Sequence, residues 1–453
     1  MIFHHGKIAL VDERFSLAEA LAVKDGRVLL VGTHDEVLPA KDANTRLVDL
    51  KGKFVLPGLI DSHAHPCGAA LTEVDHAVPE MESIADVLAY VRSRAQAVPE
   101  GQWIVVRQVF ITRLREQRYP TRSELDGAAP NHPVVFATGP DASVNSRALA
   151  ESGIDRDFQT TGAGKIEKDP QTGEPTGILR SAERYLKIKS PDAQPTPEQK
   201  DERLLQLLRD YTATGLTAVL DRDASPAEVE QYRRLRAAGK LPLRVRISRH
   251  LDTSGKVDEI RGEIRRIAAD PLALGDDRLR IIGVKTYLDG GMLTGSAYMR
   301  EPWGVSRIYA IDDPGYRGLR YIPDETLVPI VRATVESDLQ YTAHSVGDGA
   351  VHALLDAYEK VNQTVPIAAT RPCVTHSNFM SREAIEKAAK LGVLVDIQPA
   401  WLYLDTRTLV AQFGQERLRW FQPLASLFAA GVTAGGGSDH MQKIGSLRSI
   451  NPY

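Results

Sequence analysis

Residues 57–66 read PGLIDSHAHP. Pro57 and Gly58 form a turn signal, Leu59 and Ile60 open an apolar strand, and two of the chain's 12 histidines follow with one residue between them. Side chains at i and i+2 of a strand point to the same face. An extended His-Ala-His therefore aims the rings of His63 and His65 at one point in space. Imidazole is a common ligand of zinc and similar metals. The plainer reading is a polar strand end turned to solvent, and HxH alone does not decide between the two.

The bulk of the chain frames that choice. At 453 residues it is too long for one small core, so one large domain with additions is expected. A hydrophobic share of 43% with 25% charged residues reads as globular and soluble. Lys and Arg total 56 against 59 Asp and Glu, so no nucleic-acid or membrane-surface footprint is expected. Local basic runs such as 113–118 read as solvated faces. Cys67 and Cys373 are the only cysteines, which excludes a disulfide framework and suits a reducing compartment. Each lies near a candidate histidine, but a small buried filler is the favoured role. The N-terminus MIFHHGKIALVDE lacks a signal-peptide pattern, and His4-His5 is too short a run for a tag. No stretch approaches the ~20 apolar residues of a membrane span. The expectation is a cytoplasmic protein with a small-molecule substrate, with a homodimer left open.

Residues 1–56 consist of short apolar runs broken by turns, with Lys24-Asp25-Gly26-Arg27 as a hairpin signal. They read as a small β-sandwich domain. Beyond it, β-branched runs alternate with helical patterns. Strands are expected at 54–62, 214–223, 241–251, 278–290, 339–349, 371–378, 392–401 and 431–440. Between them lie helical segments such as SPAEVEQYRRLRAAGK and SREAIEKAAKLG, several stopped by glycine. Eight such units predict an α/β fold, a closed (β/α)8 TIM-like barrel over 57–453. One connection is too long for a single crossover. Its strand-like pieces GQWIVVRQVF and HPVVFATGP, its Gly-rich tract and the Pro-rich linker KSPDAQPTPEQ predict an inserted subdomain at 66–195, after the first barrel strand.

In such barrels the C-terminal strand ends carry the active site. Collected there are His63 and His65, then Lys285, His344, His376 and Asp439. Six candidate ligands on five strand ends make the metal reading much stronger than HxH alone. GDG at 347–349 lacks the lysine and spacing of a phosphate loop and is expected to open the following helix. His250, Asp289 and Trp303 lie at strand exits as candidate substrate contacts, each with a plain packing, pairing or turn role as its alternative. Tyr298 and Trp401 are weaker candidates of the same kind.

At this point FVLPGLIDSHAHP, GVKTYLDGGMLTGSA, AHSVGDGA, THSN and GGGSDH, in that order, resemble the amidohydrolase superfamily over nearly the whole chain. The most similar branch is amidohydrolase family 3, which includes N-substituted formamide deformylase. The resemblance implies a binuclear centre with His63 and His65 on one ion and His344 and His376 on the other. Lys285, carboxylated by carbon dioxide, would bridge them, and Asp439 would be both ligand and catalytic acid/base. An ammonium has no lone pair, so an unmodified, charged lysine could not ligate. The implied cofactor is a divalent metal, in the first place two Zn2+, with Fe, Mn or Ni as substitutes. The implied activity is hydrolysis of carbon–nitrogen bonds, of a non-peptide amide or N-acyl group. Alternatives are a mononuclear deaminase using His63, His65, His376 and Asp439, a non-catalytic scaffold barrel, and a metal-assisted isomerase. His440 stands where the resemblance has tryptophan. The chain stops at Tyr453, before the further helix and sandwich strands that the resemblance implies, so uncovered apolar surface is expected on the barrel's outer face.

Overall fold

A computed structural model describes residues 1–107, 109–138, 141–161, 164–189 and 195–441. Residues 190–194 of the Pro-rich linker expected after the insertion, and everything after Met441, lie outside the described residues. The chain divides into two compact units, Met1–Leu59 and Ile60–Tyr453.

The smaller unit has two sheets. Strands Arg27–Gly32, Ala20–Lys24, Ile2–His4 and Leu47–Asp49 form one, in that order, and Leu17–Ala18, Lys7–Ala9 and Phe54–Val55 form the other. The Asp-Gly signal is a hairpin turn here. Lys24 pairs with Arg27, and Asp25 and Gly26 take φ of 50° and 73° between them. Val28, Leu29, Leu30 and Val31 on the edge strand are exposed.

In the larger unit eight parallel strands form the barrel wall. In chain order they are β1 (Leu59–Ala64), β2 (Leu216–Ala224), β3 (Arg244–His250), β4 (Leu279–Tyr287), β5 (Gln340–Ser345), β6 (Cys373–His376), β7 (Leu394–Ile397) and β8 (Ala434–Gly436). Each neighbours the next, and a parallel bridge from Ala64 to His440 brings the two ends of the sheet together. The first strand departs from the expected 54–62. Phe54–Val55 pairs with Lys7–Ala9 in the smaller unit instead. Pro57 accounts for the break, because it has no N–H to offer a ladder.

Helices cover the outside of the barrel. Pro197–Ala213 (α1) opens with a capping box in which Thr196 and Gln199 each satisfy the other's backbone N–H. It turns Leu204, Leu207, Leu208 and Tyr211 to the core at helical spacing. Pro226–Ala237 (α2) repeats the device with Ser225 and Glu228. Val257–Ala268 (α3), Asp324–Glu336 (α4), Asp348–Asn362 (α5) and Arg382–Leu391 (α6) follow the same pattern, burying Ile260, Ile264, Leu327, Leu354 and Ile385. Gly347 is the N-cap of α5, so the GDG stretch does open a helix.

Between β1 and α1 the chain builds a separate five-stranded sheet. Its order is Lys165–Lys168, Pro175–Arg180, Ala142–Val144, Val134–Ala137, Ile104–Val106. Ile84–Ala97 and Arg122–Ala128 pack beside it over Val87, Val91, Leu125, Val134 and Phe136. Arg113 does not lie on a solvated face as its basic surroundings suggest. Its guanidinium forks onto the buried Asp405 carboxylate at 2.8 and 2.9 Å, tying this region to helix Ala400–Arg417. Among the described residues no helix is long and apolar enough to cross a membrane.

Candidate metal centre

The barrel interior is polar at its C-terminal end. Arg222, buried, reaches from β2 across the barrel, donating to Gln340 Oε1 of β5 at 2.6 Å, Ser248 Oγ of β3 at 3.2 Å and Ser62 O of β1 at 3.1 Å. It also lies 3.4 Å from Asp396 of β7. Asp396 in turn holds His63, its Oδ1 lying 3.1 Å from His63 Nδ1. A proton on Nδ1 leaves the lone pair of Nε2 free to ligate, the orienting arrangement common around metal histidines. Gln398 Oε1 does the same for His376, 2.8 Å from its Nδ1.

With the tautomers so fixed, His63 Nε2 and His65 Nε2 stand 3.3 Å apart. Asp439 Oδ1 lies 3.4 Å from the first and 3.2 Å from the second. That oxygen is buried and receives no well-aligned hydrogen bond among the described residues. Three donor atoms thus form a nearly equilateral triangle. Its edges match the roughly 3.3 Å separating ligands of a tetrahedral ion with bonds of about 2.0–2.1 Å. Two imidazoles and a carboxylate are a suitable donor set for such an ion. His63, His376 and Asp396 form a second group whose ligand atoms lie within 4.8 Å of one another.

The other candidates fall into place around this cluster. His344 is edge-on to His376, with ring centroids 4.6 Å apart, but its Nε2 lies 3.3 Å from Gly290 O. Lys285 is buried, with its ammonium 3.4 Å from Arg222 O and 5.1 Å from the Tyr287 ring centroid. It does not pair with Asp289. That carboxylate accepts the backbone N–H groups of Val346, Gly347 and Tyr298 at 2.8–3.0 Å and so clasps the loops after β4 and β5. His250 is half exposed on Asp223, at 2.8 Å, and does not line the cavity described below. Trp303 does not line it either. Its indole donates to Ala297 O and is buried in an aromatic cluster with Tyr309 and Phe413. A strand-exit position does not say which side of the loop an aromatic faces, and here packing takes it. Trp401 does line the cavity, stacked on His376 at 5.3 Å. His440 is buried, its Nδ1 2.7 Å from Tyr211 OH. Both cysteines are buried, and desolvation pushes their thiols up.

Electrostatics follow from burial. Desolvation holds His63, His344 and His376 well below the usual imidazole range, leaving neutral rings with lone pairs. Burial also acts to lower His65, but Asp439 outweighs it and raises the group. For Asp439 burial acts upward, and His63, His65 and Lys285 together bring it down. Lys285 is lowered by desolvation, against the pull of Asp223, Asp396 and Asp439.

Sequence reading did not single out Asp396, Gln398 or Arg222. Asp396 and Gln398 stand two apart at the end of the 392–401 strand, on one face, a spacing that marks them as a pair in the way His63 and His65 are marked. Nothing in the local sequence marks Arg222. The backbone carries its own sign of the site. His376, Ser377 and Asp439 take φ of 73°, 47° and 51°, a region unusual for residues with side chains and concentrated at functional sites.

Above the cluster opens a cavity of about 640 Å³. Its floor is His65, Lys285, His344, His376 and Asp439, and its walls include Met81, Phe110, Met292, Leu293, Trp401 and Leu404.

The model of the amidohydrolase family matches residues 46–452. The chain is 29% identical over 449 residues to N-substituted formamide deformylase of Arthrobacter pascens, covering 96% of this chain and 80% of that protein. Two solved structures share its fold. An uncharacterized metal-dependent hydrolase from Pyrococcus horikoshii OT3 superposes with a TM-score of 0.69 at 20% identity, over 100% of this chain and 85% of that one. Another from Pyrococcus furiosus gives 0.67 at 22% identity, over 100% and 88%.

Proposed function

The chain belongs to the amidohydrolase family and is a hydrolytic enzyme; from that premise we propose that it is a metal-dependent hydrolase of carbon–nitrogen bonds in non-peptide amides or N-acyl compounds. The observation that carries the reading is the triangle of His63 Nε2, His65 Nε2 and Asp439 Oδ1, with a buried carboxylate oxygen that lacks a well-aligned donor. His63, His65, His376 and Asp439 would hold the ion, with His344 and Lys285 added in a binuclear centre. Bound there, divalent metal would bring a water's pKa towards neutrality and polarise the scissile carbonyl.

The remaining chemistry is the chain's own. Asp439 accepts the proton of the attacking water and hands it to the departing nitrogen, base and then acid in one turnover. Asp396 and Gln398 keep His63 and His376 in the ligating tautomer. The apolar walls exclude water and would seat an apolar N-substituent; the Arthrobacter relative is a deformylase of N-substituted formamides. Lys285, its amine made easier to deprotonate by burial, would take up carbon dioxide as a carbamate and release a proton. Lys285→Ala is then expected to lose metal on dialysis and to regain it with added short-chain carboxylates; unchanged metal content would count against the carbamate.

A mononuclear centre is the second reading. His344 Nε2 lies on Gly290 O, and Lys285 Nζ lies on Arg222 O. Elemental analysis of protein purified without chelator separates them, with two equivalents expected for the bridged pair and one for the single ion. A parallel screen of N-substituted formamides and N-acyl compounds tests the reaction. A metal-loaded enzyme inert towards all of them would reject the substrate class.

A further inference from the structure

The smaller unit carries a cluster that the barrel chemistry does not use. His4 ends strand Ile2–His4, where it pairs in register with Asp49 at the end of Leu47–Asp49. His5 follows with φ of 52°, which turns its ring back beside that of His4. His4 Nδ1 and His5 Nδ1 are 3.1 Å apart, and His5 Nδ1 is 3.3 Å from Asp49 Oδ1. His34 joins from a third segment, the start of the short helix His34–Val37. The ligand atoms of His4, His5 and His34 all lie within 4.8 Å of one another.

Three features make this more than crowding. If His5 Nδ1 is protonated, its one hydrogen must serve both Asp49 and His4. If it is not, its lone pair faces a carboxylate. A cation would relieve this by taking the facing lone pairs of His4 and His5, whose 3.1 Å spacing suits two ligands sharing one ion. His34 is already set for ligation, because its Nδ1 lies 2.8 Å from Glu19 Oε2, which leaves the Nε2 lone pair facing the cluster. At present that lone pair accepts the His5 backbone N–H at 2.9 Å, a bond that ligation would replace. Finally, the side chains are open to an ion, with 59% of His5 and 48% of Asp49 exposed.

We propose that His4, His5 and His34, with Asp49 beside His5 and Glu19 orienting His34, form a second metal site for a borderline divalent cation, Zn2+ or Ni2+, that staples the end of strand Ile2–His4 to the start of helix His34–Val37. Three imidazoles select such ions over Mg2+ or Ca2+. The proposal is independent of the barrel reading, since it shares no ligand with that centre.

The test is calorimetric titration of the chelator-stripped full chain with Zn2+, alongside His4→Gln and His34→Ala. Wild type is expected to bind one equivalent more than either variant, or to bind that equivalent at least tenfold more tightly. His4→Gln is the gentler change, since the His4 ring meets that of His5 and a glutamine amide keeps a polar group there. The same difference should persist in a His63→Ala/His65→Ala background, and hydrolase activity of the loaded single variants should equal wild type. Equal stoichiometry and affinity in wild type and both variants would overturn the site.

Discussion

At the scale of single residues, Asp439 and Asp396 divide the labour of one carboxylate pair. Asp439 faces the cavity between two imidazoles, while Asp396 stands behind His63 and holds its ring. Their amide variants should therefore fail differently. Asp439→Asn is expected to lower kcat by about 10²–10⁴, with most of the bound metal retained, as read by steady-state kinetics and elemental analysis on the same sample. Near-normal turnover would remove Asp439 from the chemistry. Asp396→Asn turns an acceptor into a group that can present an N–H to His63 Nδ1. It should weaken metal binding by roughly 10–100-fold, measured by competition against a chromogenic chelator.

At the scale of elements, the approach of the last strand to the first decides the site. A Cβ on Gly437 would lie 2.6 Å from His63 Cβ and 2.8 Å from its backbone nitrogen. Gly437→Ala is expected to cost about 1–3 kcal/mol, the range for overpacking a tight interior, seen as a lower denaturant midpoint together with weaker metal retention. The strand pattern made much of this visible in advance. Alternation of β-branched runs with helices placed the eight strands in order, and period-two spacing put His63 and His65 on one face. What local sequence could not supply was contact across the barrel. The oxygens of Ser248, Gln340 and Ser62 that accept from Arg222 are 26, 118 and 160 residues away, and no pattern within a few residues encodes them. For Trp303, a loop position left its facing open, and the neighbouring Tyr309 and Phe413 decided it.

For the whole molecule, the barrel's buried carboxyls link stability to pH. Asp221, buried on β2 and hydrogen-bonded by Tyr232 OH at 2.9 Å, is pushed up to about 7 by desolvation. The folded state thus keeps a proton that the unfolded chain releases near the ordinary carboxyl range. Stability from this group is fully present below about pH 4 and declines as pH rises to about 7. Above that it is flat, after a loss of up to about 4 kcal/mol. Asp221→Asn keeps an acceptor for Tyr232 and should flatten that part of the profile in denaturant melts taken across the range. A slope unchanged by the substitution would assign it to other groups. The same molecule-wide view applies to the closing contacts. Asp61 of β1 takes the backbone N–H of Ser438, 377 residues away, and Asp439 N–H donates to His63 O at 2.7 Å. During synthesis the two outer walls of the centre are therefore made far apart in time. His63 and His65 must wait, uncommitted, while the insertion and six further strands are made. The triangle of His63, His65 and Asp439 therefore closes only when the eighth strand docks against the first, so a chain still short of that strand holds two of its three corners.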